Sequence, residues 1–195
     1  MKHVDVAGIS SDPGKRMTFL CDFVGLNRDD WNALQESVAV LGPKLPAILD
    51  ALYDHLLSFD DTHRIFLGAK GELDPGYIAL RKEHLTEWIL KTVQAGPDGG
   101  FAAYLVSVGR SHTGAQGEPG RAVPPRYMVA LASFVQTALT STAFAALPGE
   151  TERALRISLA WNKMMMVQLE FFLKVMAPEW PHWDEELGFA KRPSR

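Results

Sequence analysis

Apolar residues recur at helical spacing in every long segment of this chain, and glycine and proline separate one such segment from the next. This pattern constrains the fold more than any other feature. An apolar stripe at i, i+3, i+4 and i+7 must be covered by another element, and here the other elements are helices too. Valine, isoleucine and threonine fall inside the helical period, alanine and leucine dominate, and no segment alternates as a half-buried strand does. Gly8, Ser10, Ser11, Pro13 and Gly14 interrupt the first stretch, so residues 1–25 read as an irregular N-terminal extension. Asn27 followed by Asp30 has the form of a helix start, and Gly42-Pro43 of a stop. Leu45, Ile48, Leu49, Leu52, Tyr53, Leu56 and Leu57 then predict one broad stripe on a helix over 43–58, with a short helix at 62–66. Asp74-Pro75 supplies a cap and a first-turn proline for a helix reaching 94. Asp98 caps a helix that ends at 112, and a glycine-rich loop follows over 113–122. Two long helices, 123–147 and 150–177, are parted by Pro148-Gly149.

About six or seven helices on short connections exceed a simple four-helix bundle and fit an all-α, globin-like layering. A length of 195 residues suits one core, so 1–195 reads as a single domain. Hydrophobic residues are 47% and charged residues 22%, an ordinary globular balance. A net charge of −3 and a pI near 6.1 argue against nucleic acid as a partner. The lone cysteine, Cys21, excludes an internal disulfide and reads as buried or incidental. The first residues lack the apolar core of a signal peptide. No uncharged apolar run is expected to reach the ~20 residues that span a bilayer. The expectation is a soluble, cytoplasmic protein without a membrane partner.

The chemistry converges on His112. Phe101, Tyr104, Leu105 and Val108 form the apolar face of its helix, and His112 continues that face at its end. An imidazole in that position is either a core histidine with a satisfied N–H or a ligand to iron in an apolar pocket, and periodicity leaves both open. Tyr53, inside the stripe of the second helix, either reaches a backbone carbonyl or donates to a ligand. His55, His63 and His84 read as solvated. His-Glu-x-x-His, Cys-x-x-Cys and P-loop patterns are absent from the sequence, and Glu-x-x-His does not occur twice, as a carboxylate-bridged di-iron bundle needs. The run Met164 to Met166, with Phe171 and Phe172, reads as core or dimer surface.

A set of short motifs then resembles one family. Ile48-Leu-Asp-Ala-Leu-Tyr53, Tyr77, Trp88-Ile89-Leu90, Tyr104, Val108-Gly109-Arg-Ser-His112, Val123-Pro124, Arg126-Tyr127, Ala160-Trp161 and Gln168 look like a protoglobin, a globin related to the sensor domains of globin-coupled sensors. The likeness covers most of the chain and is loose over 1–45. It implies haem b as cofactor, His112 as the proximal iron ligand and Tyr53 as the distal tyrosine. It also implies a ligand pocket built with Leu52, Phe66, Leu85, Val108, Leu131 and Val135, haem edges covered by the N-terminal extension, and a homodimer through the last two long helices. Leu52, Leu85 and Leu131 stand where archaeal members have aromatics, and Thr113 where they have a second histidine, so an aliphatic distal wall is expected.

The function that follows is reversible binding of O₂, CO or NO at a histidine-ligated iron, for gas binding or sensing. Two other classes are weighed beside it. A haem-dependent enzyme, with peroxidase, NO, nitrite or carbene-transfer chemistry, would be supported by a distal His–Arg pair, for which the sequence offers Arg81 and His84. A haem-free globin-like signalling module would be expected to lose the proximal histidine first, and this chain keeps His112.

Overall fold

The computed structural model describes residues 5–96, 99–114 and 121–177. In chain order it holds α1 (Val6–Ser11), α2 (Pro13–Phe23), α3 (Arg28–Leu41), α4 (Leu45–Leu57), α5 (Asp60–His63), α6 (Pro75–Gln94), α7 (Gly99–Ser111), α8 (Pro125–Ala146) and α9 (Thr151–Met176). Short 3-10 turns lie at Gly42–Lys44 and Arg64–Phe66. Among the described residues there is no β-strand, only an isolated bridge between Leu67 and Leu73. The expected all-α fold is therefore the observed one.

The helix ends follow local chemistry. Asn27 accepts from the Asp29 and Asp30 amides while Asp30 accepts from the Asn27 amide, a reciprocal cap that starts α3. Asp74 accepts from the Tyr77 amide and Pro75 fills the first turn of α6. Gly42-Pro43 does not stop the chain in extended form. Gly42 stays helical and a 3-10 turn leads into α4, whose Pro46 sits in a first turn that needs no amide donor. Gly149, at φ 84°, provides the left-handed residue that separates α8 from α9. Asp98 and everything from Pro178 onward lie outside the described residues.

Helix α9 is the centre of the molecule and packs on α8, α7 and α3. Its inner face carries Ile157, Trp161, Met164, Gln168 and Phe171, all essentially solvent-free. The polar atoms in this layer are paired. The Trp161 indole donates to Ser37 at 3.0 Å, and Ser37 donates to the Leu34 carbonyl at 2.6 Å. The Trp88 indole donates to Gln168, whose amide reaches Thr92 at 3.3 Å, and Thr92 donates back to the Trp88 carbonyl at 2.8 Å.

Two expectations are corrected. Residues 5–25 are not irregular: Asp5 and Asp12 cap α1 and α2, and the residues that looked like breakers, Gly8, Ser10, Ser11, Pro13 and Gly14, lie inside these helices. Arg16, buried and ion-paired with Glu170, also donates to the Ile9 carbonyl at 3.0 Å and ties α1 and α2 to α9. Second, α8 is long and apolar enough to cross a membrane by length and composition. Its serines and threonines hid an uncharged stretch of that length. One face, Met128, Ala132, Val135, Leu139 and Ala143, is buried against the neighbouring helices, and most of the rest of the helix surface is not.

Candidate functional site

The face of α7 that carries His112 divides into two. Phe101, Ala102, Leu105 and Gly109 are buried, and α7 packs on α2 and α9. Gly109 permits this approach: a Cβ there would lie 3.3 Å from the Phe172 Cα and 3.3 Å from the Val175 Cβ. Tyr104, Ser107, Val108, Ser111 and His112 instead line a cleft of about 320 Å³. That is the lower end of the ~300–1,000 Å³ of cofactor and small-molecule sites. Leu52 and Tyr53 of α4, Leu85 and Trp88 of α6, and Leu131 and Val135 of α8 form its other walls. A smaller cavity of about 70 Å³ adjoins it, lined by Phe66, Tyr77, Arg121 and Val123. Tyr53, Arg81, His112 and Leu131 line both and so stand between them.

The two ring nitrogens of His112 have different partners. Nδ1 lies 2.8 Å from the Val108 carbonyl oxygen, and Nε2 lies 3.2 Å from a guanidinium nitrogen of Arg81. A carbonyl can only accept and a guanidinium can only donate. Both contacts therefore assign the same neutral tautomer, with the proton on Nδ1 and a lone pair on Nε2. Burial holds the His112 pKa below its ordinary value. The Val108 carbonyl, which favours the protonated ring, opposes this and the Arg81 charge reinforces it. The ring is kept neutral, with its Nε2 lone pair accepting from Arg81 at the cleft wall. The Val123 amide donates to the His112 carbonyl at 2.9 Å, so the glycine-rich loop leaves and rejoins the fold beside this residue.

Tyr53 is buried, with Phe66 edge-on at 5.6 Å between ring centroids. Among the described residues its hydroxyl has no hydrogen-bond partner, so the backbone carbonyl considered from sequence does not take it. Burial pushes its pKa up to about 12, against a smaller lowering by Arg81. The phenol is a proton-bearing donor throughout the neutral range.

Of the residues singled out from sequence, His112, Tyr53, Leu52, Leu85, Val108, Leu131 and Val135 line the main cleft together. Phe66 lines only the smaller cavity, behind Tyr53. Sequence reasoning missed Met165 and Phe172, which also line the cleft. They were assigned to core or dimer surface because α9 packs on several helices at once, and only packing tells which side meets the cleft. His84 is exposed at the cleft wall and not merely solvated, and His55 stacks on Phe134 at 4.8 Å. Cys21 is buried against Met17, and burial pushes its thiol up to about 11. No group of three or more His, Cys, Asp or Glu gathers to hold a metal among the described residues. The described residues of 5–25 do not reach the cleft. They pack on α7 and α9 instead.

An all-α layered fold with an imidazole-bearing helix end at an apolar cleft defines a globin-like protein. The chain belongs to the protoglobin family, whose model matches residues 14–179. The match takes in α2 and α3, where the motif likeness was loose. No curated protein matches the chain.

Proposed function

We propose that this protein is a haem-binding globin that takes O₂, CO or NO reversibly, for gas binding or sensing. The observation that carries the reading is the fixed state of His112. Its Nδ1–H is engaged by a backbone carbonyl, and its Nε2 lone pair, met by the Arg81 guanidinium, lies at the wall of a largely apolar cleft. A carbonyl on the remote nitrogen is the arrangement that orients a metal-ligating imidazole and raises its basicity. The donor set fits haem b: one neutral nitrogen, aliphatic and aromatic walls, and a phenol.

Bound in that site, haem b would supply an iron that can take a small ligand. His112 would hold the iron through Nε2. The Nε2 lone pair cannot serve a metal and a guanidinium at once, so Arg81 has to withdraw from it. Leu52, Leu85, Val108, Leu131 and Val135 exclude water around the ring. Tyr53, with its hydroxyl uncommitted, donates a hydrogen bond to a polar diatomic, and Phe66 fixes the phenol from behind.

A homodimer is part of the same proposal. Helix α8 carries no charged residue after Arg126. Val129 and Phe144 on α8, with Leu155, Leu159 and Met166 on α9, are exposed apolar side chains on two adjacent long helices. A second copy of this face supplies a self-complementary cover. Light scattering should give twice the chain mass, and Leu159→Glu should give the single mass.

The test of the haem reading is the visible spectrum of purified protein reconstituted with haemin, before and after dithionite and CO. A sharp Soret band at one haem per chain that shifts on CO addition is expected. Failure to retain haemin through gel filtration overturns the proposal.

A further inference from the structure

We propose that Arg81 makes the cleft selective for small anions, so that ligands such as azide, fluoride or nitrite bind more tightly than their size alone would give. The inference rests on the haem reading above and deepens it.

Arg81 is half-buried on α6 and lines both cavities. Its partners are His112 Nε2 at 3.2 Å, His84 Nδ1 at 3.5 Å and, at 6.0 Å, the face of Tyr77. None of these carries a negative charge. The acidic side chain nearest in the lining, Glu87, is committed to Lys91 at 2.8 Å. Among the described residues, no carboxylate pairs with Arg81. The other half-buried guanidiniums are compensated: Arg121 meets Asp74 at 3.2 Å and Arg153 is ion-paired with Glu36. Arg81 is thus a cation without a counter-charge in a largely apolar wall, where a charge interacts more strongly than in water.

The position of that charge matters as much as its lack of compensation. The guanidinium lies against Nε2 of His112, the atom proposed to hold the iron. A group held by His112 through Nε2 would have to part the guanidinium from that nitrogen. Arg81, on α6 with Leu85, would then stand with Tyr53 on the cleft wall that faces the bound group. A small ligand on that side meets two donors. The phenol serves any polar ligand, and the guanidinium adds a charge-assisted bond only an anion can use.

The test compares charged and neutral ligands of the ferric haem-loaded protein by optical titration. The parent, Arg81→Leu and Arg81→Lys are each titrated with azide, fluoride and imidazole. Loss of a charge-assisted hydrogen bond should lower azide and fluoride affinity in Arg81→Leu by roughly tenfold or more. Imidazole affinity should stay within about twofold, and Arg81→Lys should keep part of the anion preference. Equal changes for azide and imidazole would mean that Arg81 acts by volume, and the proposal falls. Faster loss of haem with an unchanged azide-to-imidazole ratio would mean that the guanidinium serves the carboxylates of the cofactor, and the proposal falls as well. A parent that takes up no haemin overturns the haem reading instead. Far-ultraviolet circular dichroism and CO affinity check that each variant keeps its fold and pocket.

Discussion

The layer around α9 and the cleft between α4, α6, α7 and α8 treat their polar atoms in opposite ways. In the layer, Trp161, Ser37, Trp88, Gln168 and Thr92 close their hydrogen bonds on one another and on backbone carbonyls. In the cleft, the Tyr53 hydroxyl has no partner among the described residues, and Arg81 meets a neutral imidazole. A polar group that the protein does not itself pair stays available to a ligand or to water. Trp88 belongs to both regions: its ring lines the cleft while its N–H is tied to Gln168. The difference separates side chains that hold the helices together from side chains held ready for a ligand.

Substitutions in the two regions should break along that line. Trp161→Ala removes a fully buried indole and should cost ~3–5 kcal/mol in denaturant midpoints, the largest effect expected. A loss under about 1 kcal/mol would place the core elsewhere. Gln168→Leu leaves the Trp88 N–H without its acceptor and should cost ~1–3 kcal/mol. Tyr53→Phe provides the contrast. It breaks no protein hydrogen bond, so stability at pH 7 should change by no more than about 0.5 kcal/mol. Yet O₂ release should quicken roughly ten- to a hundredfold, with a smaller change for CO. Equal factors for both gases would mean that the phenol acts by shape.

The raised Tyr53 pKa sharpens the comparison further. Its folded value of about 12 lies above the ordinary 10.0. Below pH 10 both states are protonated and the full contribution is present. Above it the unfolded chain releases the proton first, so stability falls as pH rises toward 12. At pH 11 the parent should have lost about 1 kcal/mol relative to Tyr53→Phe. No difference between the two would mean that the phenol is hydrated in the folded state. The smallest effect concerns size alone. Leu85→Phe should weaken a bulky isocyanide while leaving CO nearly unchanged, because overpacking penalises the larger ligand first. If neither affinity moves, Leu85 does not face the ligand.

Most of the helix plan was legible because its ends are written in local chemistry. Asn27 with Asp30 and Asp74 with Pro75 mark starts that the backbone obeys. The N-terminal helices were not legible. Asp5 and Asp12 are caps only if a helix follows, and Gly8, Pro13 and Gly14 read more simply as loop. His112 and Tyr53 were legible as members of apolar stripes, and the structure brings both to one cleft. Arg81 was recognisable only as an available arginine, since the contact joining it to His112 spans two helices. Met165 and Phe172 were hidden for a similar reason: on a helix buried on several sides, periodicity does not say which neighbour each side chain meets.

The most direct test is the ferrous spectrum of His112→Ala, recorded with and without added imidazole. If Nε2 of His112 holds the iron, the variant should lose the five-coordinate histidine-ligated spectrum, and free imidazole should restore it. A variant whose haem content and ferrous spectrum match the parent's would contradict the account, because another residue would then be the ligand.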